Sequence, residues 1–330
     1  MVDIELIERV GDLLPSPFRA GASERTPLRV GAVQCAWNPD SVAHAATLKA
    51  GVALAVRSGA RVVLLQELTL SPYFCSVPDV ANALVRYGED VETGPTAALA
   101  RELAATHGVA VHASLYERTA DNRGFNTAIC LDATGALIAR TRKIHIPAFP
   151  YYHEDRYFEP GDNGCPVVPV SGAKFAFPTC WDQWFPELAR SLSLDGAEVI
   201  VYPTAIGNEP HHPDMDTLPM WQLMIAANGL ANATFMIAVN RIGTEGPLTF
   251  YGSSFISDPY GRVIVQAPRD RAAVLVADLD LDQRRDMLSF GLMHTRRPDR
   301  YRRLLAPSNL DHPTQKQVDT AARSTAGGSK

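Results

Sequence analysis

Two hydrophobic rhythms alternate along the chain. Val62-Val63-Leu64-Leu65-Gln66 is almost wholly apolar, as in a strand covered on both faces, while Ser41 to Arg57 places its apolar residues at helical period. The same reading predicts a strand from Leu28 to Gln34 and a helix from Thr93 to His107. Strands follow from Val109 to Leu115, Asn126 to Leu131 and Ala136 to Thr141, the last two joined as a hairpin by Asp132-Ala133-Thr134-Gly135. Ala173 to Phe177 is β-like, and a helix is predicted to open at Pro186, a residue favoured in the first helical turn, and to run to Leu194. Beyond it come a strand from Glu198 to Tyr202, a long helix from Leu218 to Ala231 and a strand from Thr234 to Val239. Three more strands are expected near Ser253 to Ser257, Arg262 to Gln266 and Val274 to Asp278.

At the N-terminus Ile4, Ile7, Val10 and Leu14 lie at helical spacing and predict a short amphipathic helix, followed by an irregular connector from Ser16 to Pro27. Parallel-type units mixed with hairpins imply an α/β protein of two sheets packed face to face with helices outside. The chain thus divides into an N-terminal extension (1–27), a body (28–305) and a polar C-terminal tail (306–330).

Composition narrows the partners. A net charge of −5, without Lys/Arg blocks, argues against nucleic acid or an anionic membrane. No apolar run approaches the ~20 residues that span a bilayer. Cys35, Cys75, Cys130, Cys165 and Cys180 form an odd, scattered set that suits reduced thiols in the cytoplasm better than a disulfide framework. Glycine-rich phosphate and dinucleotide patterns are absent, and no cofactor is implied.

Three strands end in one ionisable residue each: Glu67 after Val62 to Gln66, Lys143 after Leu137 to Arg142, and Cys180 after Ala173 to Phe177. A cysteine at a strand-to-helix junction points its sulfur into a cleft, where free N–H groups can polarise a bound carbonyl. Glu, Lys and Cys in this order and setting resemble the nitrilase (carbon–nitrogen hydrolase) superfamily, over about Leu28 to Leu305. The likeness is sharpest in Tyr152-His153-Glu154-Asp155-Arg156, in Cys180 to Glu187, in Tyr202 to Gly207 and in Phe250 to Phe255. These longer stretches resemble its N-carbamoylputrescine amidase branch.

The resemblance implies a four-layer α-β-β-α sandwich, a homodimer or larger assembly, and hydrolysis of a linear amide or ureide. Cys180 would be the nucleophile, and Glu67 would take its proton, pass it to departing ammonia and later deprotonate water. Lys143 and the backbone N–H of Trp181 would hold the oxyanion, at a value of about 3–4 kcal/mol. Glu154 would keep Lys143 charged and aimed, and His145 would be a supporting hydrogen-bonding group rather than the base. Tyr73, His153 and Asp182 complete the expected substrate pocket.

His211-His212-Pro213-Asp214-Met215-Asp216 could offer ligands to a metal, but neighbouring residues on an extended loop splay apart, so the run reads as a pocket rim. Pro178 cannot donate to a ladder, so the strand before Cys180 should end unpaired there. Family relatives that act on carbamoyl amino acids place arginine just after the cysteine. Here the stretch is Trp181-Asp182-Gln183-Trp184, which would leave a substrate carboxylate unpaired. The expected substrate is therefore amine-tailed, N-carbamoylputrescine before N-carbamoyl-β-alanine, with Asp182, Asp214 or Asp216 meeting the ammonium. Arg156, near Glu154 in sequence, is the one cation placed to reverse that preference. A catalytically silent binding protein is the competing reading, opposed by the intact Glu67, Lys143 and Cys180 set.

Overall fold

The computed structural model describes residues 3–306. The first sheet has seven strands in the order Glu5–Arg9, Ala273–Leu279, Leu28–Gln34, Val62–Leu64, Ala110–Arg118, Gly124–Leu131 and Leu137–Arg142. The second runs Val263–Gln266, Phe255–Ser257, Phe235–Val239, Val199–Pro203, Ala173–Ala176 and Val168–Val170. A period of two sorts the apolar residues between layers. Val62, Leu64, Val199 and Val201 point into the core between the sheets, with Phe175, Phe177 and Phe235. Val63 and Leu65 face outward against Leu48, Val52 and Leu103 of the helices Ser41–Arg57 and Pro95–His107. Ile200 and Tyr202 face Leu192, Trp221 and Ile225 of the helices Pro186–Leu194 and Leu218–Asn232. The result is the four-layer α-β-β-α sandwich.

Close helix-to-sheet contact has a visible sequence cause. A Cβ on Gly51 would sit 2.6 Å from Val33 Cγ1, so only glycine lets the helix Ser41–Arg57 reach its strand. Between the sheets His112 stacks on Phe177 with ring centroids 5.1 Å apart, and burial holds its pKa down at about 3, so the ring is a neutral spacer.

One predicted element is corrected. The N-terminal residues form not a helix but the strand Glu5–Arg9, paired in parallel with Ala273–Ala277. A spacing of three fits a helix, yet in a strand it alternates faces. Ile7 accordingly packs on the core between the sheets, while Ile4 and Val10 pack on the helix-covered side. The open edge of Ala273–Leu279 supplies the backbone partners that a short isolated helix lacks. The following connector is tied down by Arg19, which pairs with Asp280 and lies 3.3 Å from Asp286. The hairpin Ile242–Glu245 with Leu248–Tyr251 was not anticipated. The polar tail lies outside the described residues, apart from its first residue.

Candidate active site

Glu67, Lys143 and Cys180 each lie just beyond the C-terminal end of a strand, the first two from the first sheet and the third from the second. The topology therefore gathers them at one end of the sandwich. The strand Ala173–Ala176 ends two residues before Pro178, in keeping with the missing donor. Cys180 then adopts φ +39°, a left-handed conformation that costs a residue with a Cβ about 1–2 kcal/mol and belongs to a sharp turn. The Asp182 carboxylate, accepting from Thr179 N–H at 3.0 Å, holds the turn, which continues as the 3₁₀ helix Cys180–Trp184.

The charged groups form one buried cluster. Lys143 Nζ donates to Glu154 Oε2 at 2.6 Å and to Glu67 Oε1 at 3.1 Å. Asn126 Nδ2 donates to the same Glu67 oxygen at 2.8 Å, and Tyr73 OH to Glu154 Oε1 at 2.9 Å. Glu67 Oε2 keeps no hydrogen-bond partner among the described residues, which leaves one lone-pair face of the carboxylate for a proton. Burial works against the charged lysine, but the fields of Glu154, Glu67 and Cys180 outweigh it and hold the Lys143 pKa well above its usual value. Burial raises the Glu154 pKa, with Lys143 pulling against it. Burial, then the charge of Glu67, hold the Cys180 pKa well above that of a free thiol, against the pull of Lys143. At neutral pH the Cys180 thiol is therefore protonated, and to act as a nucleophile it would need a base. The backbone of Ala205, which also lines the cavity beside Cys180, helps Lys143 pull the Cys180 pKa down.

Gly161 packs against the backbone that carries Lys143. Its N–H donates to Lys143 O at 2.8 Å, and a Cβ there would meet Arg142 O at 2.2 Å.

Cys180 opens onto a cavity of about 390 Å³ walled by Phe149, Trp181, Trp184, Met215 and Met220. Glu154 lines its base, and Glu209 and His212 its flank. A larger hollow of about 540 Å³ beside Cys35 and Trp37 holds none of the Glu67, Lys143 and Cys180 set. Trp181 thus stands at the pocket as expected. Three other expected pocket residues do not line the cavity. The Asp182 carboxylate accepts from the backbone N–H groups of Thr179 and His145 and pairs with His145 Nδ1 at 2.8 Å, so it braces the nucleophile turn. Tyr73 is fully buried and orients Glu154. His153 Nε2 accepts from Tyr151 N–H at 3.2 Å in a short hairpin. His145, stacked on Phe185 with centroids 3.6 Å apart, is a supporting group.

The acids expected to meet an ammonium also move. Asp216 pairs with Arg269 at 3.0 Å, and Asp214 lines a neighbouring surface hollow. Besides Glu154 at its base, the acid at the cavity is Glu209. Burial pushes its pKa up to about 7. Arg156 is exposed, 3.6 Å from Asp155, and does not line the cavity. His211 stacks on Tyr151 and only His212 of the pair faces the cavity, so the run is a rim. Of the residues not foreseen, Asn126 was visible as a polar residue inside an apolar strand. Glu209 lies two residues beyond the Tyr202 to Gly207 stretch, but only the fold turns it inward. The backbone of Ala205 carries no sequence signal.

Residues 29–287 match the carbon–nitrogen hydrolase family. The chain is 38% identical over 290 residues to an N-carbamoylputrescine amidase of Arabidopsis thaliana, covering 85% of this chain and 96% of that protein. It is 36% identical over 279 residues to a citrullinase of Francisella tularensis, covering 83% and 96%. A carbon–nitrogen hydrolase crystal structure from Helicobacter pylori superposes with a TM-score of 0.79 at 29% identity, over 86% of this chain and 99% of the other. The chain belongs to the carbon–nitrogen hydrolase family and is a hydrolase of carbon–nitrogen bonds.

Proposed function

We propose that the protein hydrolyses an amine-tailed ureide, N-carbamoylputrescine, to putrescine, carbon dioxide and ammonia. The Cys180 sulfur attacks the ureide carbon as Glu67 takes the thiol proton. Lys143 and the Trp181 N–H face the developing oxyanion. Glu67 passes the proton to departing ammonia, leaving an S-carbamoyl cysteine that still bears the alkyl nitrogen. Glu67 then activates water, which releases the carbamic acid, and this breaks down to carbon dioxide and the amine. The similarity to N-carbamoylputrescine amidases supports this substrate.

The observation that carries the substrate choice is Glu209. No hydrogen bond or ion pair to its side chain is found among the described residues, and it faces a cavity walled by aromatic rings and methionines. No Arg or Lys stands among the cavity-lining residues. Such a carboxylate meets an ammonium favourably and a carboxylate at a cost. Glu209→Gln is expected to lower kcat/KM for N-carbamoylputrescine ~100-fold and to leave N-butylurea, the same ureide on an uncharged tail, almost unchanged. The pH dependence has a defined sign. Glu209 is protonated below about 7, so the ratio of kcat/KM for the two substrates should climb through that pH and level above it. A flat ratio, or a specificity constant highest for N-carbamoyl-β-alanine, would overturn the amine preference and leave the Glu-Lys-Cys chemistry standing.

A second reading, L-citrulline, is favoured by the similarity to a citrullinase and by His212, a cavity residue able to donate to an α-carboxylate. Rates for the two ureides at equal concentration separate them, and the higher constant is expected for N-carbamoylputrescine.

Two further proposals concern setting. A catalytic thiol works only while reduced, and all five cysteines are free, which supports the cytoplasm. The helices Pro186–Leu194 and Leu218–Asn232 leave Leu194, Leu223 and Leu230 exposed, which supports a homodimer burying them. Light scattering at micromolar concentration should give at least twice the chain mass, and Leu223→Glu should shift it toward the monomer. A monomeric parent chain would contradict the assembly.

A further inference from the structure

The base and the nucleophile lie on opposite sheets, so their separation depends on what ties the sheets together at the site. Glu67 begins an irregular segment of the first sheet that runs through Tyr73, the residue that holds Glu154. Within it Leu68 is left-handed at φ +47°, and the carbonyls of Glu67, Leu68 and Ser71 turn to one side. All three converge on a single group from the second sheet. Arg241 Nη2 donates to Glu67 O at 2.6 Å, to Leu68 O at 3.1 Å and to Ser71 O at 3.3 Å. Its Nη1 donates to Glu245 Oε1 at 2.6 Å, and Glu245 Oε2 accepts from the backbone N–H of Tyr73 at 2.7 Å.

Arg241 follows the central strand Phe235–Val239 by two residues and is fully buried. The preceding Asn240 is equally engaged. Its Oδ1 accepts from Ile206 N–H, and its Nδ2 donates to the carbonyls of Ile206 and Gly252. Ile206 and its neighbour Ala205 line the cavity together with Cys180. One dipeptide therefore grips the base segment with one side chain and the wall beside the nucleophile with the next.

We propose that Arg241, with Glu245, is the positioning residue that sets Glu67 against Cys180 across the two sheets. A buried guanidinium is costly to retain for stability alone. Its planar fork reaches the carbonyl cluster with one arm and Glu245 with the other, which an ammonium on a single stem cannot do. The first sheet ties this segment at other atoms: Leu68 N–H donates to Ser114 Oγ at 3.2 Å, Thr69 N–H to Ser114 O at 2.7 Å, and Asn126 Nδ2 holds the Glu67 carboxylate at 2.8 Å. They leave the Glu67 carbonyl to Arg241. Displacing a catalytic group by about 1 Å can cost a hundredfold in rate.

The inference rests on Glu67 as the base, and the test separates the two. Arg241→Lys, Glu245→Gln and Glu67→Gln are assayed with N-carbamoylputrescine well below each variant's melting temperature. Arg241→Lys is expected to lower kcat ~10- to 100-fold with KM within about twofold, and Glu245→Gln to lower it less, ~3- to 10-fold. Iodoacetamide should still label Cys180 first in both, showing the cavity intact. A lowered melting temperature with kcat preserved in both variants would overturn the proposal and make the pair purely structural. Failure of both to fold would overturn it too, because the pair would then serve the fold rather than the base. Should Glu67→Gln itself turn over normally, the base assignment falls. Should Glu67→Gln be dead while Arg241→Lys runs at full rate, only the clamp falls.

Discussion

Cys180→Ala is expected to fold as the parent chain does and to lose turnover by ~10⁴-fold or more. The side chain is almost buried, but it faces a cavity rather than a packed core, so removing one sulfur costs little stability. The chemistry has no substitute. Among the described residues no other cysteine, serine or threonine hydroxyl joins Glu154 in lining the cavity except Thr217, on the approach to the helix Leu218–Asn232. In the parent chain iodoacetamide should modify Cys180 ahead of Cys35, Cys75, Cys130 and Cys165 and abolish activity in step with the label. Burial raises the pKa of each of those four, and none lines the cavity. The labelling rate of Cys180 should climb with pH through the neutral range, because burial and the Glu67 charge keep its thiol protonated there. Equal labelling of all five cysteines, or an active alanine variant, would remove the nucleophile assignment.

Some of this was legible in residues alone because strand ends are written in local pattern. Val62 to Gln66 stops at Glu67 and Ala173 to Phe177 stops short of Cys180, so two of the three candidate catalytic groups announce their own positions. Glu154 needed the family likeness, since nothing local distinguishes it from an acid on a surface turn. What failed to show is set by long-range geometry. Asp182, Asp214 and Glu209 are equally plausible partners for an ammonium in sequence. The difference is that Asp182 spends its oxygens on Thr179 and His145, whereas Glu209 has a cavity in front of it. The N-terminal strand was missed because a spacing of three suits both a helix and the two faces of a strand. The hairpin Ile242–Glu245 to Leu248–Tyr251 hid behind Gly246-Pro247, which reads as a break between elements as readily as a turn within one. Arg241 had no local signal. A lone arginine after an apolar strand reads as a solvated end until the segment carrying Glu67 folds over it.

That long-range dependence governs Lys143 most of all. Lys143→Met is expected to lower kcat ~10³-fold, and to destabilise the fold as well. The rate loss follows from removing the charged donor at the oxyanion. The stability loss follows from what remains: Glu67 and Glu154, both buried, with the cation that joined them at 3.1 and 2.6 Å gone. Breaking such a pair costs about 3–5 kcal/mol, and the chain relieves part of it by leaving one carboxyl protonated. The sign of the pH effect follows. Burial already holds the Glu154 carboxyl above its ordinary range, and without the lysine it rises further. A carboxyl whose folded pKa exceeds its unfolded one favours the folded state in acid and loses that advantage as pH rises through the folded value. The melting temperature of Lys143→Met should therefore fall increasingly below that of the parent chain as pH is raised. Lys143→Met combined with Glu154→Gln removes one of the stranded charges while keeping its shape. It should recover most of the lost stability and flatten the pH dependence, yet recover no turnover. Calorimetry across pH and ammonia release by the two variants test both halves. Turnover restored in the double variant would show that Lys143 serves only to neutralise Glu154, and the oxyanion would then fall to backbone donors alone.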